Sequence, residues 1–227
     1  MIPPIVLDID GTLTRPGTSD GSIDPRIFDP LREWEAPVVI ATGKAFPYPI
    51  ALCHYIGIEP LVIAENGGVV CARETLTIHG DGEGAQSVIA DLENRGHDAG
   101  WGSANLTNRW RETEVAVNLD APGALLRELA ADRGLEVLDT GYAYHVLSPA
   151  VSKGRGLETV ADVLDYQSTD FVAVGDSEND VSTFEQAGTA YAVANADEKA
   201  HAAADHVTQG EAADGTLEVL EAIRTAE

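Results

Sequence analysis

The chain of 227 residues contains little cysteine, little lysine and no long apolar run. Its two cysteines, Cys53 and Cys71, are too few for a disulfide framework and lack the spacing of a zinc site. No run approaches the roughly 18 apolar residues that a membrane helix needs. The N-terminus has no basic stretch ahead of a hydrophobic one, so no signal peptide is expected. These absences favour a globular, cytoplasmic protein.

Positive charge is also scarce, since 14 Lys and Arg stand against 38 Asp and Glu, a net charge of −24. Such a surface repels duplex nucleic acid and anionic membranes, so neither is an expected partner. Strong self-repulsion is tolerable where salt screens it, because the Debye length falls to about 3 Å at 1 M. The acids are spread along the whole chain. We therefore expect a salt-adapted, halophilic protein.

Short apolar runs alternate with helical segments at both ends of the chain. Ile5–Leu7, Val38–Ala41 and Leu61–Ala64 are typical of buried parallel strands, with helices predicted between them. The alternation resumes with a predicted helix at Lys153–Leu164 and continues to the C-terminus. This pattern predicts an α/β fold with a doubly wound parallel sheet.

The middle of the chain has a different pattern, with two amphipathic helices among several short strands. A glycine-rich stretch at 80–84 is a plausible hinge into it. We predict a core domain made of residues 1–79 and 150–227, and a small α+β domain inserted between them at 80–149. This predicted domain is called the inserted segment below.

The first candidate motif is Asp8-Ile-Asp10-Gly-Thr12, directly after the first predicted strand. Two carboxylates two residues apart in extended chain point the same way. One could attack phosphorus while the other hands a proton to the leaving oxygen. The alternative is a turn or helix cap with spare acids.

Two further motifs could bind a phosphoryl group. In Thr42-Gly43-Lys44, a hydroxyl, an accessible backbone N–H and a cation suit phosphate oxygens, although an ordinary strand-to-helix turn is the alternative. Lys153 opens a predicted helix, where a lysine opposes the helix dipole and an anion would resolve the conflict. The alternative is a surface lysine, but the chain has only three lysines, which favours a functional role.

The fourth motif, Gly175-Asp176-Ser-Glu-Asn179-Asp180, follows another predicted strand. Two acids four residues apart in a turn suit Mg²⁺, which binds a few carboxylates and keeps several waters. The alternative is a solvated acidic turn.

Together, DIDGT, TG, K and GDSEND closely resemble the ordered motifs of the haloacid dehalogenase superfamily, and the resemblance covers essentially the whole chain. Glu65-Asn66-Gly67 and the stretch 194–205 are similar to its Cof-like branch. The resemblance implies a Rossmann-like core with a small cap domain inserted after the third core strand.

The resemblance also implies roles for the motif residues. Asp8 would be the nucleophile and form an aspartyl-phosphate, and Asp10 would be the general acid and base. Mg²⁺ would be held by Asp8, the backbone carbonyl of Asp10 and Asp176, with Asp180 in support. The residues implied to bind the phosphoryl group or to order the site around it are Thr42, Gly43, Lys44, Lys153 and Asn179.

Two stretches of the inserted segment, Asn108-Arg109-Trp110-Arg111 and Gly141-Tyr142-Ala-Tyr144-His145, resemble the archaeal phosphoglycolate phosphatases of the Cof-like branch. The implied activity is a Mg²⁺-dependent phosphomonoesterase acting on a small phosphorylated metabolite, with 2-phosphoglycolate favoured. Arg109 and Arg111 could bind the substrate carboxylate bidentately. The alternative is two arginines solvated on a strand.

The sequence is also compatible with other functions. A sugar-phosphate phosphatase or a phosphotransferase would use the same motifs. A phospho-acceptor signalling module without turnover belongs to another class, and Asp10 argues against it because such a module needs no acid to release an alcohol. The oligomeric state, the preference for Mg²⁺ or Mn²⁺ and the role of Lys44 are not decided by these patterns.

Overall fold

The computed structural model describes residues 2–18 and 21–226, which form two sheets with helices around them. The strands are β1 (Ile5–Leu7), β2 (Val38–Ala41), β3 (Leu61–Ala64), β4 (Val69–Ala72), β5 (Thr75–Ile78), β6 (Val115–Asn118), β7 (Glu136–Asp139), β8 (Ala143–Leu147), β9 (Val172–Gly175), β10 (Thr189–Ala192) and β11 (His206–Val207). The helices are α1 (Phe28–Arg32), α2 (Pro47–Ile56), α3 (Gly82–Asn94), α4 (Gly123–Ala131), α5 (Lys153–Leu164), α6 (Val181–Gln186), α7 (Glu198–Ala203) and α8 (Ala212–Thr225).

The larger sheet has eight strands in the order β11-β10-β9-β1-β2-β3-β4-β5. From β11 to β3 all neighbours are parallel, so the predicted doubly wound α/β class is confirmed. The chain runs outward from β1 to β2 and β3, and later returns to place β9 on the other side of β1. The crevice at the carboxyl ends of β1 and β9 is therefore the topological switch point, where open α/β sheets bind ligands.

Alternating side chains of the parallel strands cover both faces of this sheet. Ile5 and Leu7 of β1 pack on one face with residues of α2 and α8, and Val6 packs on the other face with residues of α5. Because both faces are covered by helices, the strands read as continuous apolar runs, which is why they could be located from sequence.

Three strands of this sheet, β4, β5 and the short β11, were not predicted. β4 and β5 pair antiparallel with β3 and with each other, so the sheet is parallel only as far as β3. A single 3-10 turn at Glu65–Gly67 leads from β3 into the buried strand β4. β5 is mostly exposed at the sheet edge, and its sequence Thr-Leu-Thr-Ile lacks the continuous apolar run of a doubly covered strand.

The second sheet, in the order β6-β8-β7, is antiparallel and lies within residues 80–149. Its buried side chains pack with one face of α3 and α4, including Val88, Leu92, Leu126 and Leu129. The glycine-rich stretch at 80–84 is not wholly a hinge, since Asp81 caps α3 and the helix begins at Gly82. In the described residues, no helix has the length and apolar character needed to cross a membrane.

Candidate active site

The carboxyl ends of β1, β2 and β9 bring three of the predicted motifs to one edge of the sheet. Asp8 follows β1, Thr42 follows β2 and Asp176 follows β9. The backbone N–H of Asp8 donates to the carbonyl of Val174 at 3.1 Å, so the chain leaving β1 stays paired with β9. This edge is the switch point of the sheet, and the sequence motifs therefore converge where the topology places a ligand crevice.

Lys153, the first residue of α5, is fully buried beside two carboxylates. Its Nζ donates to Oδ1 of Asp8 and to Oδ1 of Asp180, each at 2.6 Å, and to Oδ1 of Asn179 at 3.1 Å. Burial lowers the pKa of Lys153, but the carboxylates of Asp180 and Asp8 outweigh burial and hold the pKa above its ordinary value. Lys153 is therefore a fixed ammonium inside the site, and the surface-lysine alternative is wrong.

Three acids form a cluster that could hold a metal ion: Asp8, Asp176 and Asp180 each offer an oxygen within 4.8 Å of the others. Burial, reinforced by the neighbouring Asp180 and Asp10 and opposed by Lys153, raises the pKa of Asp8 to about 7. Burial and the charges of Asp8 and Asp180 raise the pKa of Asp176 to about 9. Lys153 does not fully offset the repulsion among these carboxylates. The cluster therefore suits a hard cation, which prefers oxygen ligands.

Glycine allows the acidic loops to approach one another. Gly11 has φ +77°, and a Cβ there would lie 2.1 Å from Oδ2 of Asp176. Asp180 is held by Lys153 and also accepts from the backbone N–H groups of Asp176 and Ser177, at 3.0 and 3.1 Å. The structure thus places Asp180 as the anchor of both the lysine and the β9 loop.

The second acid of the first motif has a different environment from the first. Asp10 is half exposed, and its Oδ2 lies 3.0 Å from Nζ of Lys44. Thr42 is fully buried, and its Oγ1 accepts from the backbone N–H of Lys44 at 3.1 Å. The β2 loop therefore holds Lys44 beside the carboxylate for which the sequence predicts proton transfer.

A cavity of about 460 Å³ contains most of these groups. Core residues that line it include Asp8, Asp10, Gly43, Lys44, Asp176 and Asn179. The inserted segment contributes Arg111, Tyr142 and His145. A cavity enclosed by both parts of the molecule can bind a small ligand and restrict water around the reacting groups.

Only one of the two predicted arginines lies in this cavity. Arg111 is nearly buried; its Nη1 donates to the backbone carbonyl of Gly43 at 2.9 Å and pairs with Glu114. Arg109 is exposed and does not line the cavity. Neither arginine lies on a strand, since residues 101–113 form turns and irregular chain.

Four residues at the site were missed as functional candidates: Glu65, Asn66, Glu114 and His145. Asn66 donates from Nδ2 to Oε2 of Glu114 at 2.8 Å and accepts at Oδ1 from Nδ2 of Asn179 at 3.0 Å. Glu65, Asn66 and His145 stand in stretches that resemble the Cof-like branch, but no role was assigned to them from the sequence, and Glu114 stands in no such stretch. Glu114 adjoins the apolar run of β6 and His145 stands within that of β8, where an unpaired polar group would be costly.

The turn after β3 is strained. Glu65 has φ +51° and Asn66 has φ +56°, a left-handed conformation that non-glycine residues seldom adopt. Both side chains are buried and hydrogen-bonded to the inserted segment. Strain that surrounding contacts maintain tends to mark a functional position, here the junction between core and inserted segment.

Comparisons with known proteins agree with this geometry. The profile of the haloacid dehalogenase-like hydrolase family matches residues 5–101 and 131–220. A phosphoglycolate phosphatase of Halorubrum lacusprofundi is 58% identical over 227 residues, covering 99% of each chain. One of Natronomonas pharaonis is 52% identical over 226 residues, again covering 99% of each chain.

The fold is also shared with solved structures. A crystal structure of a Thermoplasma acidophilum protein superposes with a TM-score of 0.84 at 24% identity, covering 99% of both chains. That likeness shows the architecture, and the family match and the close relatives show descent. The chain belongs to the haloacid dehalogenase-like hydrolase family.

Proposed function

We propose that the protein is a Mg²⁺-dependent phosphomonoesterase that works through an aspartyl-phosphate on Asp8, with 2-phosphoglycolate as its favoured substrate. The observation that carries the proposal is the buried contact of Lys153 with Asp8, whose side chain lines the same cavity as Asp10. A nucleophile, a separate acid and a fixed cation are the groups that phosphoryl transfer needs. The names of the relatives from Halorubrum lacusprofundi and Natronomonas pharaonis support the choice of substrate.

The two acids of the first motif divide the chemistry. One carboxylate oxygen of Asp8 attacks phosphorus, the bond from phosphorus to the leaving oxygen breaks, and that oxygen takes a proton from Asp10. Asp10 then removes a proton from a water that attacks the phosphorus of the aspartyl-phosphate, releasing phosphate and restoring Asp8. Asp10 suits both steps because it is half exposed at the cavity and therefore open to water.

The other residues of the site neutralise or position charged groups. Lys153 keeps its ammonium against Asp8 and can neutralise phosphoryl oxygens as charge develops on them. Thr42 and the backbone N–H of Gly43 lie beside the same edge and can position a phosphoryl oxygen. Asn179 accepts from Lys153 and Ser177, which fixes the lysine in place. Lys44 restrains Asp10 through their ion pair.

The acidic cluster fits Mg²⁺ as the cofactor. Oxygens of Asp8, Asp176 and Asp180 are close enough to share one ion, and the backbone carbonyl of Asp10 is a further candidate ligand. When bound, the ion would neutralise phosphoryl oxygens and relieve the repulsion among the carboxylates. With a net charge of −24 on the chain, such local positive charge is needed for an anionic substrate to bind.

The test is phosphate release from a panel of small phosphomonoesters in molar KCl, with Mg²⁺, with Mn²⁺ and with EDTA. We expect metal-dependent release led by 2-phosphoglycolate. Release led by a sugar phosphate would keep the mechanism and reject the substrate, and transfer to an added alcohol would indicate a phosphotransferase. A folded protein that releases no phosphate from any compound, yet becomes phosphorylated on Asp8, would favour the signalling-module alternative.

A further inference from the structure

A buried carboxylate in the inserted segment holds two basic side chains at the cavity wall. Glu114 is fully buried, and its Oε1 contacts Nδ1 of His145 at 2.8 Å and is paired with Nη1 of Arg111. Its Oε2 accepts from Asn66 at 2.8 Å. Both oxygens are therefore used, and the two basic groups come from different parts of the segment, the turns before β6 and the central strand β8.

Each basic group has a nitrogen left for a ligand. Arg111 donates from Nε to the carbonyl of Thr107 at 3.0 Å and from Nη1 to Gly43 and Glu114, but Nη2 has no partner among the described residues. Nε2 of His145 is likewise without a partner in the described part of the chain. Neither of these two nitrogens is fully buried, and both side chains line the cavity, so each nitrogen is available to a ligand bound there.

Glu114 also sets the charge on this wall. Burial would raise the pKa of Glu114, but the positive charges of His145 and Arg111 hold it below its ordinary value, so the group is a carboxylate at neutral pH. A carboxylate 2.8 Å from Nδ1 fixes a proton on that nitrogen. Asn66 Nδ2, 3.3 Å from Nδ1, is turned to Glu114 by its shorter contact. When both ring nitrogens carry a proton, Nε2 can donate to an anion in the cavity.

The open nitrogens are fixed relative to the phosphoryl site. Lys153 donates to Asn179, Asn179 donates to Asn66, and Asn66 donates to Glu114, at 3.1, 3.0 and 2.8 Å. This chain of hydrogen bonds runs from the ammonium beside Asp8 to the carboxylate that orients the basic pair. The cavity of about 460 Å³ thus has a phosphoryl pole on the core and a second anion-binding pole on the inserted segment.

We propose that His145, oriented by Glu114, binds the carboxylate of the substrate together with Nη2 of Arg111, and that this pair selects phosphorylated acids over phosphorylated alcohols. The inference rests on the proposed phosphatase activity. It changes the expected recognition in two ways. Arg109 has no part in it, and Arg111 contributes a single terminal nitrogen, because its other donors are already used.

Two substitutions test the roles of Nδ1 and Nε2 of His145 separately. In His145→Asn, the amide nitrogen can replace Nδ1 and keep the contact with Glu114, but nothing replaces Nε2. In His145→Gln, the longer amide can replace Nε2 at the cavity and gives up the contact with Glu114. The exposed His97, in the same segment, provides the matched control His97→Asn. Circular dichroism and thermal unfolding establish that each variant is folded.

The measurement is the ratio of kcat/KM for 2-phosphoglycolate to kcat/KM for ethyl phosphate, a comparable monoester without the carboxylate. A charge-assisted hydrogen bond predicts that His145→Asn lowers this ratio by about 10–100-fold. His145→Gln is expected to lower it less, and His97→Asn not at all. An unchanged ratio in His145→Asn, or an equal loss on both substrates, would overturn the inference by leaving His145 a structural role.

A second measurement uses the wild-type protein and so does not depend on whether a variant folds. Phosphonoacetate, a non-hydrolysable acid, should shift the ¹⁵N resonance of His145 Nε2, and ethylphosphonate should not. Identical responses to both would contradict carboxylate binding. If the wild type hydrolyses neither monoester, the proposed phosphatase activity is wrong. If it hydrolyses both equally well, the phosphatase activity stands and the proposed carboxylate binding is wrong.

Discussion

The carboxylate of Glu65, just after core strand β3, accepts hydrogen bonds from both the backbone N–H and the hydroxyl of Thr113 in the inserted segment, each at 2.8 Å. The N–H of Glu112 donates to the same carboxylate at 3.0 and 3.1 Å. One buried side chain of the core thus satisfies three donors next to Glu114. These contacts join the core to the stretch of the inserted segment that directly precedes Glu114.

Replacing Glu65 by Gln should weaken the junction. The amide keeps the shape, but its NH₂ group would replace Oε1 opposite the N–H of Glu112, and a neutral oxygen would replace the charged acceptor of the other donors, at a cost of about 1–3 kcal/mol. We expect a lower free energy of unfolding in urea and a lower kcat/KM. The exposed Glu74, in the turn between β4 and β5, gives the control Glu74→Gln. Equal stability of both variants would show that the Glu65 contacts contribute nothing net.

Replacing Asp8 by Asn should abolish turnover without damaging the fold. The amide cannot act as the nucleophile, so phosphate release should fall by at least about 10⁴-fold. Burial raises the pKa of Asp8 from 3.8 to about 7, so the stability that the protonated group contributes is lost as the pH rises through this interval and is absent at pH 8. In EDTA at pH 8 the variant should therefore melt at the same or a higher temperature. The exposed Asp132 supplies the control Asp132→Asn, and hydrolysis retained by Asp8→Asn would remove Asp8 as nucleophile.

Glu114 should stabilise the folded protein to an extent that depends on pH. Its pKa in the folded protein is below the ordinary 4.5, because His145 and Arg111 outweigh the effect of burial. The stabilisation is therefore complete above about pH 4.5 and is lost as the pH falls through the lowered value. Glu114→Gln should cost about 3–5 kcal/mol near pH 7, since it leaves buried positive charge uncompensated.

Urea unfolding of the wild type and Glu114→Gln across pH 3–7 would measure this difference. It should shrink at the acid end, where the wild-type carboxylate becomes protonated. Glu128→Gln, at an exposed position on α4, provides a matched control whose effect should be small at every pH. A difference that is constant across the range would contradict a linkage to Glu114.

The charge of −24 predicts that salt stabilises the protein. Repulsion among exposed acids opposes the compact state and is screened as the Debye length falls from about 10 Å at 0.1 M to about 3 Å at 1 M. Unfolding temperatures should rise from low to molar salt, by similar amounts in KCl and NaCl if screening is the cause. A fall over the same range would sink the proposed salt adaptation.

The sequence by itself determined the buried parallel strands of the core sheet and the acidic motifs that follow them. Strands covered on both faces are continuous apolar runs, so β1, β2 and β3 could be located without tertiary information. Polar residues at the carboxyl ends of such strands must meet at one edge, so the meeting of Asp8 and Asp176 followed from order along the chain. The resemblance of the motifs supplied their expected roles.

Only the tertiary structure decided what lies across the cavity from that edge. Arg109 and Arg111 are equivalent in the sequence, but the turns of residues 101–113 bury one and expose the other. Glu114 and His145 are far apart along the chain and meet because β6 and β8 pair. Such contacts depend on strand pairing and loop packing, which no local pattern encodes. The acidic motifs could therefore be identified from the sequence, whereas the contacts of Glu114 with His145 and Arg111 could not.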